Sequence, residues 1–313
     1  MLLRQIMEVY DLLDAPDASG QKVKDYLLSI HPEADVLVYP LVGPKGTTDM
    51  VRVTVPGTKG KLSGGTAPTL AILGRLGGLG ARPEVTGFVS DGDGALAAIA
   101  AAAKLLDMWK KGDRLEGDVV LSTHVCPDAP TKEHHPVPFM DSPVEMSQVN
   151  REEVNGDLDA ILSIDTTKGN RVINKRGFAI SNTVKEGYIL RCSEDLLSVM
   201  ERVTGQLPAV FPLSTLDITP YGNDLYHLNS ILQPCTATAA PVVGVAIVTE
   251  VAVAGCATGA THFADVEAAA RYAIEVAKDY GQGKCSFYDE VEFEKAVSRY
   301  GTMHHLQTLG KEV

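Results

Sequence analysis

The stretch Phe88-Val-Ser-Asp-Gly-Asp-Gly-Ala-Leu-Ala-Ala-Ile99 decides the fold, because an apolar run leads through two aspartates into an alanine-rich helical pattern. We predict a strand over residues 85–89 and a helix over residues 95–110. A second apolar run, residues 160–164, ends at Asp165 in the same way. In open α/β sheets, ligands bind beyond the carboxyl ends of the strands. The two runs therefore predict carboxylates that face a ligand site.

Short β-branched runs alternate with helical patterns along the chain, which is typical of a mainly parallel sheet covered by helices on both faces. We predict an α/β fold of 313 residues in one domain, a three-layer α/β/α sandwich around a mostly parallel mixed sheet. The predicted helices are residues 21–29, 95–110, 193–203, 223–231, 264–280 and 288–300. The predicted strands are residues 35–39, 50–55, 69–73, 85–89, 118–123, 160–164, 178–182, 188–191, 209–213 and 242–253.

Composition excludes nucleic acid and membranes as partners. The net charge is −12 and the pI is near 5.1, so the field of the whole protein repels phosphate backbones and anionic lipid surfaces. The chain has no run of about 18 apolar residues, and its first residues carry charges, unlike a signal peptide. We expect a cytoplasmic protein that takes a small-molecule or short-peptide substrate, with a homo-oligomer left open.

Common motifs are absent or incomplete. Asp91-Gly-Asp93-Gly94 begins like a calcium loop, but Ala102 stands at the last ligand position. Gly74-Arg-Leu-Gly-Gly-Leu-Gly80 is rich in glycine, yet it matches neither the dinucleotide fingerprint nor the phosphate loop. The five cysteines are scattered without a Cys-x-x-Cys pair, so neither a disulfide framework nor a cysteine zinc site is indicated.

Polar residues at or near strand ends form the candidate site. They are Arg75, Asp91, Asp93, His124, Asp165 and His262. Catalytic metal sites combine His with Asp or Glu and keep a position open for water. Each residue alone also has a structural explanation, since an aspartate before a helix is often an N-cap. The order and spacing of the set therefore carry the hypothesis.

Five segments resemble those of the zinc aminopeptidases with co-catalytic metals, especially the tetrahedral aminopeptidase and glutamyl aminopeptidase family. They are Leu12-Leu-Asp-Ala-Pro-Asp-Ala-Ser-Gly-Gln-Lys-Val23, Ser90-Asp-Gly-Asp-Gly-Ala-Leu-Ala-Ala-Ile99, Asp159-Ala-Ile-Leu-Ser-Ile-Asp165, Tyr221-Gly-Asn-Asp-Leu225 and Gly259-Ala-Thr-His-Phe-Ala-Asp-Val-Glu267. The resemblance spans nearly the whole chain and implies a zinc-exopeptidase-like fold. It also implies that Asp91 bridges two metal ions, that Asp165 binds the second ion and that His262 binds the first.

The chain departs from the family pattern in three places. Arg75 and Gly77 stand where the family has His-x-Asp, and a guanidinium cannot ligate a metal ion. After the predicted strand at residues 118–123, the sequence His124-Val-Cys-Pro-Asp128 replaces the family's Glu-Glu pair of base and ligand. The lid or dimerisation insert of the family is absent, since residues 78–84 alone separate the corresponding elements.

The interpretation that we favour is a metal-dependent hydrolase of a peptide, an acylated amino acid or a related small amide. Its ion is a divalent metal, with zinc expected and manganese or cobalt as alternatives. The proposed ligands, for one ion or a rearranged pair, are Asp91, Asp165 and His262, with His124 replacing a lost ligand. His124 or Asp128 is then the base for the attacking water. Arg75 holds a substrate carboxylate or stabilises an oxyanion.

Two alternatives stay open. In the first, no metal is bound, and Arg75 forms ion pairs with Asp91 or Asp165 in a ligand-binding or regulatory protein without peptidase activity. In the second, a racemase or lyase uses Cys126 as acid or base, which requires a lowered pKa of its thiol. His124 favours the hydrolase, because a bare binding fold has no need of a histidine at a strand end.

Overall fold

The computed structural model describes residues 2–75, 87–133, 139–225, 230–253 and 260–311. The helices are α1 (Leu2–Asp14), α2 (Gly20–Ile30), α3 (Asp93–Lys110), α4 (Met146–Glu153), α5 (Glu194–Thr204), α6 (Phe263–Gly281) and α7 (Glu290–Tyr300). The strands are β1 (Asp35–Gly43), β2 (Gly46–Val55), β3 (Leu70–Gly74), β4 (Val119–Val125), β5 (Thr131–Lys132), β6 (Phe139–Met140), β7 (Ala160–Thr166), β8 (Gly177–Ser181), β9 (Val184–Lys185), β10 (Tyr188–Ile189), β11 (Val210–Phe211) and β12 (Val242–Val248).

The large sheet is mixed, with a parallel centre. Its strand order is β1-β2-β4-β3-β7-β12-β8-β11. Strands β4, β3, β7 and β12 run parallel to one another. At one edge β2 and β1 are antiparallel, and at the other β8 is antiparallel to β12 and parallel to β11. The carboxyl ends of β4, β3 and β7 therefore lie side by side.

Both faces of the sheet are covered, as the side chains that alternate between the two faces along β3 show. Leu70 and Ile72 pack into the core beneath α1, α3 and α6. Ala71 and Leu73 pack on the opposite face, into a second apolar cluster. Residues of the 3-10 helices Thr215–Ile218 and Gln233–Ala237 belong to that second cluster. The predicted three-layer α/β/α sandwich is confirmed.

Local sequence signals set several helix ends. The Ser19 side chain accepts a hydrogen bond from the backbone N–H of Lys22 at the start of α2, and Ser193 accepts one from Leu196 at the start of α5. Such caps satisfy backbone donors that have no partner inside the helix. Gly205 follows α5 as its C-cap, and its φ of 67° is the left-handed conformation that glycine adopts readily.

Two predicted elements are wrong in the residues that the structure describes. Gly87–Val89 is not a strand; the backbone N–H of Phe88 donates to Asp14 Oδ1 at 2.8 Å, and residues 85 and 86 lie outside the described chain. The expected helix at 223–231 is replaced in its described residues by turns, with φ of 59° at Asp224. The predicted strand is wrong because a buried apolar run need not pair with another strand. The predicted helix is wrong because its residues form turns although their composition is typical of a helix.

The other predicted elements are found, with shifted ends. The strand expected over residues 242–253 stops at Val248. Helices α1 and α4 were not predicted from the sequence, although both are amphipathic. No helix within the described ranges is both long enough and apolar enough to pass through a membrane.

The first turn of α3 lies directly against the ends of β3 and β7. A Cβ atom built on Gly94 would overlap the backbone oxygens of Ile164 and Arg75. This close approach places Asp91 and Asp93 next to the strand ends. Glycine is therefore required at the second residue of α3 for steric reasons.

We predict that Gly94→Ala lowers the free energy of unfolding by about 1–3 kcal/mol, because the methyl group overpacks against backbone atoms. Helix propensity alone predicts the opposite sign, a gain of about 1 kcal/mol. Urea unfolding followed by circular dichroism measures the change. An increase in stability would show that α3 does not approach β7 as described.

Candidate functional site

Three neighbouring strands deliver polar residues to one edge of the sheet. Arg75 follows β3 directly, and its backbone N–H donates to the carbonyl of Ile164 at 2.8 Å. His124 is the penultimate residue of β4, and Asp165 is the penultimate residue of β7. Since β3 lies between β4 and β7, Arg75 occupies the middle position. The structure thus brings these three residues to the same edge of the sheet.

Arg75 is fully buried and forms an ion pair with Glu153, the last residue of α4. Its Nη1 donates to Glu153 Oε2. Among the described residues, Arg75 Nε and Nη2 and Glu153 Oε1 have no hydrogen-bond partner. Burial raises the pKa of Glu153 to about 7, against the opposing effect of the Arg75 charge. The partner expected for Arg75 was Asp91 or Asp165, whereas the direct contact is with Glu153.

His124 is buried and uncharged at neutral pH. Burial, and then the positive charge of Arg75, lower its pKa to about 4. Its Nδ1 lies 2.9 Å from the hydroxyl of Thr48 on β2. A neutral imidazole has one donor and one acceptor nitrogen. His124 therefore offers one hydrogen-bond donor and one acceptor and does not carry a charge.

Asp165 is almost fully buried and hydrogen-bonded at both oxygens. Its Oδ1 accepts from the backbone N–H of Thr166 at 2.7 Å, and its Oδ2 accepts from the hydroxyl of Ser230 at 2.6 Å. Burial raises the pKa of Asp165, while Ser230 and the charge of Arg75 oppose that rise. Burial, together with the carboxylate of Asp165, raises the pKa of the nearby Tyr221 phenol to about 12.

The two aspartates before α3 have different surroundings. Asp91 is half-buried in the 3-10 helix Ser90–Gly92, while the carboxylate of Asp93 is buried. Asp93 accepts a hydrogen bond from Thr261 at 2.7 Å, and its other oxygen lies 3.5 Å from Lys168 Nζ. Burial raises the pKa of Asp93 to about 7, against the effect of Lys168. Lys168 has a φ of 57°, a left-handed conformation that is uncommon for a residue other than glycine.

The proposed catalytic residues Cys126 and Asp128 follow β4. Cys126 is buried, and its thiol points to the carbonyl of Thr47 at 3.6 Å. Burial raises the pKa of Cys126 to about 11, so the thiol stays protonated at neutral pH. That environment disfavours the racemase or lyase, which needs a thiolate. Asp128 is exposed in the turn after β4.

His262 lies at the N-terminus of α6. Its side chain is 51% exposed, and its Nδ1 lies 3.2 Å from Asp265 Oδ2. Its neighbours Ala260 and Thr261 contact Lys168 and Asp93, respectively. His262 thus belongs to the Asp93 side of the site and not to the buried group around Arg75.

A cavity of about 420 Å³ opens beside His124. Its polar lining residues include Asp91, His124, Cys126, Tyr221 and Ser230, and its apolar lining residues are Ala129, Met140, Pro143 and Met146. Lys132, Asp141 and Ser142 complete the described lining. Of the proposed site residues, Arg75, Asp128, Asp165 and His262 are not part of that described lining. A ligand in this cavity would meet His124 and Asp91 directly, and Arg75 only through its charge.

The described residues do not fit a metal ion at the Arg75 end of the site. In the described ranges, three or more His, Cys, Asp or Glu side chains nowhere gather in a way that could hold an ion. At this end, the guanidinium of Arg75 already lies among Glu153, Asp165 and His124. A divalent cation beside it would be repelled. Gly77, which the resemblance aligns with an orienting aspartate, lies outside the described residues.

Comparison with protein families identifies the family to which the chain belongs. A family model described as "Protein of unknown function (DUF1177)" matches residues 41–310. The chain belongs to the DUF1177 family. No curated protein matches it.

Two solved structures are similar in fold. "Bottromycin maturation enzyme BotP" has a TM-score of 0.50 and 15% sequence identity, covering 87% of this chain and 69% of that one. "Bottromycin maturation enzyme BotP in complex with Mn" has a TM-score of 0.49 and 14% identity, covering 86% and 70%. At this identity the likeness extends to the fold alone.

The sequence did not point to four residues of this DUF1177 site. They are Thr48, Glu153, Lys168 and Ser230. Thr48, Glu153 and Ser230 reach the site from positions distant in sequence, and their segments show no motif. The φ of Lys168 is a property of the folded backbone. The one available signal was the strand end at Asp165, since Lys168 follows three residues later.

We predict that Glu153→Gln lowers the free energy of unfolding at pH 8 by about 3–5 kcal/mol, because it leaves the buried charge of Arg75 without a partner. Urea unfolding measures the loss. The exposed control Glu294→Gln should change stability by less than about 0.5 kcal/mol. Replacing both partners, with Arg75→Met and Glu153→Leu, should restore much of the loss, and an equal loss in the double variant would show that the pair is not coupled.

We predict that Asp93 makes the protein less stable as the pH rises. Its pKa is raised in the folded state from 3.8 to about 7, so the folded chain binds a proton that the unfolded chain releases. The resulting stabilisation, of about 2–4 kcal/mol, is present below pH 4 and is lost as the pH rises through 7. Glu153, whose pKa is raised in the same direction, adds to the trend.

Urea unfolding at a series of pH values from 4 to 8 tests this dependence. Asp93→Asn should flatten the fall in stability across that range. Asp157→Asn, whose carboxylate is 80% exposed, should leave the slope as it is in the natural sequence. An unchanged slope in Asp93→Asn would assign the trend to other groups.

Proposed function

We propose that the chain binds a small amide or a short peptide in the cavity beside His124, and that Arg75 is the resident cation of the site. The observation that carries this proposal is the fully buried Arg75–Glu153 ion pair. Arg75 occupies the position at which the resemblance to the aminopeptidases places a metal-ligating histidine. A buried guanidinium there supplies a positive charge without an ion.

The charges around Arg75 support this assignment. Asp165 and Glu153 are buried acids whose charged forms are stabilised by the guanidinium. His124 is kept neutral in part by the same charge. A buried carboxylate needs a cation or hydrogen-bond donors nearby. Arg75 meets that need from within the chain.

The cavity has the properties of a small-ligand site. Its volume of about 420 Å³ lies within the usual range of ligand pockets, about 300–1,000 Å³. Its lining combines apolar side chains, among them Met140 and Met146, with polar ones, among them His124 and Ser230. This combination suits a ligand with an apolar side chain and a polar group such as an amide.

Metal-dependent hydrolysis stays a prediction from the sequence. It requires an ion at Asp91, Asp165, His262 and His124, and zinc, manganese and cobalt are the candidates. His262 is exposed on the Asp93 side, while His124 and Asp165 are buried around Arg75. Measuring the metal content of the protein distinguishes metal-dependent hydrolysis from ligand binding with Arg75 as the resident cation.

We predict that protein purified without chelator or added metal contains far less than one equivalent of zinc, manganese or cobalt. Adding zinc or manganese should leave the midpoint of thermal unfolding unchanged, because Arg75 already balances the buried carboxylates. Elemental analysis and thermal unfolding make the two measurements. Asp91→Ala and His262→Ala are the matched variants.

Near-stoichiometric metal that both variants lose would overturn the proposed resident cation and support the hydrolase. Dipeptides and acylated amino acids would then be the substrates to screen. Metal that neither variant loses would indicate binding elsewhere on the chain.

A further inference from the structure

We infer that the ligand is an extended peptide longer than a dipeptide, which reaches from the cavity beside His124 into a second, outer cavity with an uncharged part of its chain. The outer cavity has a volume of about 490 Å³, which by itself lies within the usual range of ligand pockets, about 300–1,000 Å³. The inference rests on the proposed function in taking the cavity beside His124, here the inner cavity, as the binding site. It adds a second compartment and the class of ligand that occupies both.

The inner and outer cavities adjoin along a common wall. Six residues of the described linings belong to both cavities. They are Lys132, Asp141, Ser142, Pro143, Met146 and Tyr221. Four of these lie between the end of β6 and the first residue of α4. A ligand that passes this segment contacts both cavities, so the two form one continuous groove.

The outer cavity also has walls of its own. They are the turn between β1 and β2, the beginning of α4, the 3-10 helix Gln233–Ala237 and the tail after α7. These walls contribute, in the same order, Pro44 and Lys45, Ser147 and Asn150, Gln233 and Thr236, and Leu309. None of these residues belongs to the described lining of the inner cavity. Each residue of an extended peptide adds about 3.3–3.6 Å of length, so a ligand that contacts both sets of walls needs more residues than one confined to the inner cavity.

Hydrogen bonds within the chain hold the walls of the outer cavity in place. The backbone N–H of Lys45 donates to the carbonyl of Pro143 at 3.2 Å, which joins the β1–β2 turn to the common wall. Gln233 is fully buried. Its Nε2 donates to the carbonyl of Thr219 at 2.5 Å, and its Oε1 accepts from the backbone N–H of Tyr221 at 3.1 Å. Walls that are already fixed lower the entropic cost of binding a ligand.

The described lining of the outer cavity carries no net charge. Its charged residues are Lys45, Lys132, Asp141 and Glu145, and both lysines pair with Asp141. The other residues of that lining have hydroxyl, amide or apolar side chains, or are glycine. Peptide groups are uncharged and both donate and accept hydrogen bonds. This lining therefore suits the interior of a peptide better than a phosphate or a charged chain terminus.

The experiment compares acetylated and amidated peptides of random sequence with two and with six residues, offered to the full chain at pH 7. Affinity selection with mass spectrometry identifies the retained peptides, and titration calorimetry measures their dissociation constants. We expect the best six-residue peptides to bind at least about tenfold more tightly than the best two-residue peptides, because the outer walls add contacts.

Two substitutions fill the outer cavity and spare the inner one. Ser147→Trp and Thr236→Trp each place an indole against the outer walls, and neither residue belongs to the described lining of the inner cavity. Each should weaken the binding of six-residue peptides by about tenfold and leave that of two-residue peptides unchanged. Thr302→Trp, at an exposed position outside both described linings, is the matched control. Ser147 is exposed, so its variant should fold even if the half-buried Thr236 variant does not, and circular dichroism checks both.

Equal binding of two-residue and six-residue peptides would overturn the inference and leave the proposed function standing. The same holds for an advantage of six residues that the folded tryptophan variants keep. If neither length binds, the inference fails together with ligand binding in the inner cavity. Stoichiometric metal at Asp91 and His262 would overturn Arg75 as the resident cation and leave the outer cavity as it is, so the failures of the two proposals are distinguishable.

Discussion

The buried ion pair between Arg75 and Glu153 is the interaction on which the site depends. It joins the end of the central strand β3 to the end of helix α4. Neither group reaches solvent, and a lone buried charge is costly. Each residue therefore requires the other, and the pair fixes α4 above the edge of the sheet. The Arg75 charge then acts on His124 and Asp165, which lie on the neighbouring strands.

The negative charges of the buried carboxylates in the site are balanced by positive side chains of the same chain. Arg75 lies near Asp165, and Lys168 lies near Asp93. The left-handed backbone of Lys168 costs conformational energy, which its contact with the buried carboxylate offsets. Each of these buried acids thus has a positive side chain of the same chain nearby. Its chemistry is then decided by the groups that face the cavity.

Membership of the DUF1177 family and the likeness to BotP concern the whole fold. A doubly covered, mostly parallel sheet supports many chemistries, so the fold leaves the activity open. The particular residues at the strand ends carry the functional information. Here they include an arginine and a neutral histidine, which distinguish this site from the metal site of the aminopeptidases that the sequence resembles.

The sequence by itself determined the central strands, most helices and the strand-end residues, because hydrophobic periodicity and caps are local signals. It predicted Arg75, His124 and Asp165 at one edge. Tertiary structure alone decided their partners, since Glu153 lies 78 residues from Arg75, Thr48 lies 76 from His124 and Ser230 lies 65 from Asp165. Contacts over such separations, and the burial that shifts each pKa, exist only once the sheet and its covering layers are assembled.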